Sequence, residues 1–433
     1  MSDSYIKYKD NSSSGKTQTD QSPITNKLQL QNLKPEVDNS GTPDKPEQAA
    51  TCSPNENDDK YYKQDNYDND FEHVNSNKED KKSTNTGRRT SKASIGLDFQ
   101  LKSKNISKKF LNTIIIDLFN KISENKNHIS VLHMRDFLKV NGFLPEDIRW
   151  KDAYKKLDEY ESINVATFDQ IFGNFLSDLN KCLNDGFIFE DWNQFTETIE
   201  ELYNHQRSNN DGEVYKIIPQ IARQSPEKFG VSFCSIEGQT FNLGDFNETF
   251  TVQACGTPIN YGIVIEALGL DNFSKYVGRE PSGRAANSMA LTSEGKPYNP
   301  LGGCGAIMTC ALIDPEEEQA IKFDKTLNWW KRLAGGYKPG YDITTYLSTV
   351  ETADNDFHLA YFMKSAGLYP EKSDLRSSLN YYFQSSSIEM TCKKLAAVAA
   401  TLANGGVCPI SHEMVFQSST TKHILSLSCI PAE

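Results

Sequence analysis

A hydroxyl becomes a usable nucleophile when a lysine amine sits one helical turn away and can take its proton. The sequence offers this Ser-x-x-Lys spacing at Ser123/Lys126, Ser225/Lys228 and Ser293/Lys296. None of these falls on a central apolar helix: the first ends a helical run, the second precedes a strand, and the third lies in a polar loop containing glycine. Spacing alone is a weak signal. The stretch TVQACGTPINY, Thr251–Tyr261, is better placed because it opens an apolar run through Leu268, yet it contains neither serine nor lysine. Its thiol, Cys255, could attack as a thiolate, but the expectation is that Cys255 packs into the core as a small apolar residue. Metal chemistry is not foreseen, since the seven histidines show no close ligand spacing and the nine cysteines include no C-x-x-C pair. No cofactor is expected.

The elements that would position such residues begin late in the chain. A length of 433 residues suggests two to four domains, at about 100–200 residues each. Hydrophobic content of 37% and a mean hydropathy of −0.59 reflect a deficit concentrated near the start. Residues 1–95 are rich in Asn, Asp, Ser, Lys and Gln and are expected to form a disordered polar tail, because they cannot bury enough apolar area to offset chain entropy. Within it, Arg88-Arg-Thr-Ser91 reads as a solvated basic patch, with a basophilic kinase site as the alternative. A net charge of −12 disfavours nucleic acid and anionic membranes. There is no apolar run of about 18 residues for a membrane span, and no signal or transit pattern, so a cytoplasmic protein is the expectation.

From Phe110 the apolar residues recur at helical spacing. Short strands over 128–132 and 163–165, each followed by a helix starting near Asp136 or Thr167, suggest paired helix-strand-helix units like those of EF-hands, spanning 105–206. Asp158–Ser162 lacks the alternating oxygen ligands and central glycine of a calcium loop. Another amphipathic helix runs from Asp191 through Leu202. A third region, 213–433, opens with a hairpin over 230–236 and 239–243 joined at Glu237-Gly238. Helical runs then follow over 261–268, 309–313, 323–334, 356–366 and 391–403. A hairpin followed by helices implies an α+β fold.

Several blocks of this third region together resemble the serine-dependent glutaminases: Ile218-Pro-Gln-Ile-Ala222, Tyr276-Val-Gly-Arg-Glu-Pro-Ser-Gly283, Lys296-Pro-Tyr-Asn-Pro300 with Gly305-Ala-Ile307, Tyr382-Phe-Gln384 with Ser387-Ile-Glu389, and Leu402–Ile410. The resemblance implies a β-lactamase/penicillin-binding-like glutaminase domain, preceded by the EF-hand-like bundle of animal-type enzymes, and hydrolysis of L-glutamine to glutamate and ammonia without a metal. Against the family's Gln-Ser-Cys-x-Lys-Pro, the nucleophile position is Ala254 and the base position Thr257, while Gln253, Cys255, Pro258 and Tyr261 match. Among the substrate-binding positions only Tyr382 is retained. Ile217 stands for tyrosine, Gly303 for asparagine, Thr349 for glutamate and Asp356 for asparagine. Relative to the family the chain also stops early, so an incomplete sheet is expected.

The resemblance therefore implies a catalytically inactive or severely impaired member that acts as a binding, regulatory or assembly paralogue. L-glutamine or glutamate would be a weak ligand, and the expected assembly is a homo-oligomer or a hetero-oligomer with an active glutaminase. Family analogy offers mitochondria as the alternative location. The loop Arg284–Met289, poor in aromatics, argues against phosphate activation. The competing readings are an active amidohydrolase with chemistry relocated to Cys255, and a non-functional truncated product.

Overall fold

The computed structural model describes residues 108–429 except 185, 190 and 286. The tail over 1–95 and its Arg88–Ser91 patch lie outside them. Helix α1 (Lys108–Ile122) buries Ile114, Ile115, Leu118, Phe119 and Ile122 on one face, as the 3.6-residue period dictates. Strand β1 (Ile129–Ser130) leads into α2 (Val131–Val140), then α3 (Lys151–Leu157), β2 (Ser162–Ile163), α4 (Val165–Phe172) and α5 (Leu176–Leu183). β1 and β2 pair antiparallel, Ile129 opposite Ile163. Both helices that follow start earlier than the sequence reading placed them, and the caps explain why. Ser130 Oγ accepts from His133 N at 3.2 Å, and Asn164 Oδ1 accepts from Thr167 N at 3.0 Å. Each satisfies an amide that the first helical turn leaves open. Trp150, fully buried, stacks on Phe175 with ring centroids 4.2 Å apart at the centre of this core.

After α6 (Trp192–Gln206) and the short α7 (Pro219–Ala222), β3 (Gly230–Cys234) and β4 (Thr240–Gly244) form the hairpin, Val231 opposite Leu243. Its turn needs Gly238 at φ +88°, a region that costs glycine nothing. The bundle grips this hairpin. Thr240 N donates to Gly142 O at 2.8 Å, and Arg149, ion-paired to the buried Asp147 at 2.7 Å, donates to Gly238 O.

The second core is built on helices with no polar face. α8 (Thr257–Leu268) and α10 (Gly303–Leu312) are mainly apolar, with polar residues only singly, and every residue of α10 is buried, as expected of central helices. Around them lie α9 (Leu270–Phe273), α11 (Gln319–Leu333), α12 (Ile343–Glu351), α13 (Asp354–Ser365), α14 (Leu375–Ser386), α15 (Cys392–Ala403) and α16 (Ser418–Ser428). A small antiparallel sheet, β5 (Phe250–Thr251), β7 (Ile388–Met390) and β6 (Gly340–Tyr341), places β7 in the middle. Helix α14 is the hub: α10, α11, α12 and α13 all pack against it, as does the turn that precedes α8.

Candidate active site

The stretch around Ala254 is not the uninterrupted helix its apolar pattern suggested. Val252 N donates to Ile388 O at 2.8 Å, tying the segment to the small sheet. Gln253 then adopts φ +46°, a conformation rare outside glycine and frequent at functional turns. Its amide holds the strain in place by donating to Thr251 Oγ1 at 3.0 Å and Ser386 O at 3.3 Å. A 3-10 turn over Gln253–Gly256 follows, and α8 begins at Thr257 with Pro258 in its first turn, where a missing N–H costs nothing.

Ala254 and Cys255 are both exposed on this turn. The expectation that Cys255 packs into the core is therefore corrected. Gly256 takes the buried place instead, close to Ser385 O and Trp330, and the tight turn leaves Cys255 on the outer side. Thr257 is half-buried at the head of α8. The turn thus presents the methyl group of Ala254 and, at the head of α8, the short neutral hydroxyl of Thr257.

The helices that carry most of the other predicted site residues pack on α14. Tyr382 lies on it, half-buried; Gly303 opens α10, Thr349 lies on α12 and Asp356 on α13, all packed against it. Ile217, 63% exposed, precedes α7, which contacts α12. Their chemistry is reduced. Thr349 is buried and directs its hydroxyl to Thr345 O of its own helix at 2.8 Å, leaving no donor for a ligand. Gly303 has no side chain, and the cavity it lines with Asn299 and Tyr298 is about 30 Å³, room for little more than a water. Asp356 is the exception. Burial pushes its carboxyl up to about 6, and it makes no hydrogen bond or ion pair among the described residues. Burial, with the Asp356 carboxylate nearby, holds the Tyr382 phenol well above its usual range, so the hydroxyl stays protonated and able to donate.

The Ser-x-x-Lys pairs elsewhere form no nucleophile–base site. Lys126 pairs with Glu124 at 3.0 Å, Lys228 with Glu248 at 2.6 Å and Lys296 with Glu294 at 2.8 Å. A group that sequence reasoning missed is Lys322 on α11. Its amine is buried, donates to Cys310 O at 3.2 Å and lies 4.2 Å from the Tyr381 ring centroid. Burial lowers its pKa to about 8, while the same burial pushes the Cys310 thiol up to about 12. A protonated thiol sealed in the core is no nucleophile. Beside Gln253, a cavity of about 390 Å³ opens between the hairpin and the small sheet, with Thr251, Asp342, Thr345 and Glu389 in its walls. That is ligand-sized, but none of Ile217, Ala254, Thr257, Gly303, Thr349, Asp356 and Tyr382 lines it. Among the described residues, no group of three or more His, Cys, Asp or Glu could hold a metal ion, and no helix is long and apolar enough to cross a membrane.

Comparison with known proteins accounts for this arrangement. The glutaminase family model matches residues 212–430. The mitochondrial liver isoform of glutaminase from Mus musculus is 33% identical over 317 residues, covering 72% of this chain and 53% of that protein. A glutaminase from Trichormus variabilis is 33% identical over 230 residues, covering 53% of this chain and 68% of that protein. The solved structure of the probable glutaminase ybaS aligns with a TM-score of 0.53 at 26% identity, over 55% of this chain and 77% of that one. The chain spans about half the length of the animal relatives it matches. With the family model spanning half of its length and a bacterial glutaminase matched at 33% identity over two thirds of that protein, the chain belongs to the glutaminase family.

Proposed function

We propose that this chain is a glutaminase-family protein that does not hydrolyse glutamine and instead binds, regulates or assembles with an active glutaminase. The observation that carries this reading is the turn itself, strained at Gln253 and leading into α8: the resemblance assigns its nucleophile and base positions to Ala254 and Thr257. Loss of such a nucleophile costs on the order of 10^6-fold in rate. Weakened substrate recognition supports the same reading, because Ile217, Gly303 and Thr349 offer a ligand no free polar side-chain group. The paired helix-strand-helix units of 105–206 support an EF-hand-like bundle without a calcium loop, and this bundle and the packed helices are the surfaces available for assembly. Location stays between cytoplasm and mitochondrion, the latter named for the mouse relative.

Calorimetric titration with L-glutamine and with glutamate, run beside an ammonia-release assay with and without phosphate, tests the reading. Ammonia release at an ordinary enzymatic rate, unchanged in Ala254→Ser, would overturn it. A second reading, relocated chemistry, is favoured by the exposure of Cys255 next to Ala254. It requires turnover that Cys255→Ser abolishes and a thiol that is alkylated rapidly at neutral pH.

A further inference from the structure

The carboxylate of Asp356 and the hydroxyl of Tyr382 are brought together by the packing of two helices and used by neither. α13 packs on α14, and Phe357 meets Phe383 across the contact with ring centroids 6.1 Å apart. Asp356 and Tyr382 are the residues immediately before these two, so the first turn of α13 sets its carboxylate beside the third turn of α14. Asp356 accepts no hydrogen bond from the open amides of its own turn and has no cation as partner among the described residues. Asp354, exposed on the same turn, already supplies a negative charge to the dipole of α13. Tyr382 engages only its carbonyl, which accepts from Ser385 Oγ at 2.9 Å and Ser386 Oγ at 2.8 Å; its hydroxyl has no hydrogen-bond partner among the described residues. A half-buried charge without a partner is costly, and both side chains remain within reach of a ligand because neither is fully buried.

The signs of these groups decide what they can recognise. A carboxylate calls for a cation, and a protonated phenol calls for a neutral or anionic acceptor. Tyr215, an exposed phenol close enough to Tyr382 to act on it electrostatically, adds an aromatic ring of the kind that attracts an ammonium. For a ligand carboxylate there is no counter-charge. No lysine, arginine or histidine contributes to the environment of Asp356, which burial alone sets. Ile217 and Gly303 bring no charge, and the Thr349 hydroxyl is turned to its own helix. An amino acid entering here would gain at its ammonium and lose at its carboxylate, since like charges at close range repel.

We propose that this site takes a small primary amine that carries a neutral carboxamide and no carboxylate, and so selects against glutamine and glutamate themselves. The inference rests on the non-catalytic reading given above and names its ligand class. The ammonium pairs with the Asp356 carboxylate, and the carboxamide oxygen accepts from the Tyr382 hydroxyl. One charge-assisted hydrogen bond and one neutral one then satisfy both groups that the fold leaves open.

Calorimetric titration of the full chain with L-glutaminamide and with L-glutamine tests this, because the two differ only in carboxamide for carboxylate. Near neutral pH an α-amino group is mostly protonated, and the Asp356 carboxyl, at about 6, is mostly ionised. L-Glutaminamide is expected to bind at least about 10-fold more tightly, the worth of one hydrogen bond to a charged group. In Asp356→Asn, which keeps the shape and removes the charge, the two affinities are expected to fall within about threefold of each other, with thermal unfolding showing that the variant is folded. Glutamine binding as tightly as glutaminamide would overturn the proposal, as would a native chain that binds no glutaminamide at millimolar concentration. A preference that survives in Asp356→Asn would overturn it too. Ammonia release from L-glutamine separates the two failures: at an ordinary enzymatic rate it removes the non-catalytic reading as well, and without it only the ligand class falls.

Discussion

On the function we propose, the methyl group of Ala254 stands at the nucleophile position and Thr257 at that of the base. Around them are the strain at Gln253, the 3-10 turn and the proline in the first turn of α8; on the proposed reading a serine and a lysine are what the turn lacks. Restoring them singly is expected to achieve little. Ala254→Ser without Thr257→Lys leaves a hydroxyl with no base, and the double variant still lacks the groups absent at Ile217, Gly303 and Thr349. The expected outcome is ammonia release at least about 10^3-fold below an ordinary glutaminase in the double variant, checked by a coupled glutamate assay. Lys322 gives a prediction independent of function. Its pKa, lowered by burial from 10.5 to about 8, means that between these values the unfolded chain binds a proton that the folded chain does not. Stability linked to this group therefore rises with pH through that window, by about 1.4 kcal/mol per unit. Below pH 8 the lysine is charged in both states and the burial penalty is fully present. The stability of the native chain minus that of Lys322→Met, from urea unfolding at pH 7 to 10.5, should follow this rise; a flat difference would show that the amine is solvated in the folded state.

Among the elements, α10 is the one whose packing leaves least room. Asn299 Oδ1 accepts from Leu301 N at 3.0 Å and Gly302 N at 3.1 Å, folding the approach to the helix into a tight loop. Gly305, one turn in, lies so close to this loop that an added methyl would fall on the Asn299 carbonyl. Backbone cannot step aside as a flexible side chain can. Gly305→Ala, which raises helix propensity by about 1 kcal/mol, is nevertheless expected to destabilise by about 2 kcal/mol or more through overpacking; thermal unfolding decides between the two signs. The same closeness explains why sequence reading caught only the end of α10. Gly303-Cys-Gly305 has poor intrinsic propensity and no amphipathic stripe, and it is helical because it is buried on all sides. Helix α14 went unread for a related reason. Its core-facing residues include Ser378 and Ser385 beside Leu379 and Tyr381, so no apolar stripe marks it, although four other helices pack against it.

For the whole molecule, the decisive contacts are those joining the bundle to the domain behind it. Arg149, Asp147 and Gly238 O form one, and Tyr337, whose hydroxyl accepts from Ile148 N at 2.9 Å, forms another. Lys393 adds a third by donating to Glu146 O at 2.6 Å. Arg149→Ala is expected to cost about 3–5 kcal/mol, since it strands the buried Asp147 carboxylate, and to lower the stability of the bundle and the hairpin together in calorimetry. A loss confined to one of them would show that the contact does not couple them. The sequence by itself determined which residues stand at positions 254 and 257, alanine and threonine, because identity does not depend on the fold. It also determined the hairpin with its turn at Gly238 and the family, since alternation, glycine at positive φ and ordered blocks are local properties of the chain. Only the tertiary structure decided that Cys255 faces outward, that Lys322 is buried against an aromatic ring, and that the bundle covers the outer edge of β4 through Thr240 and Gly142. Burial, register and exposure arise from which distant segments meet, and no spacing along the chain encodes them.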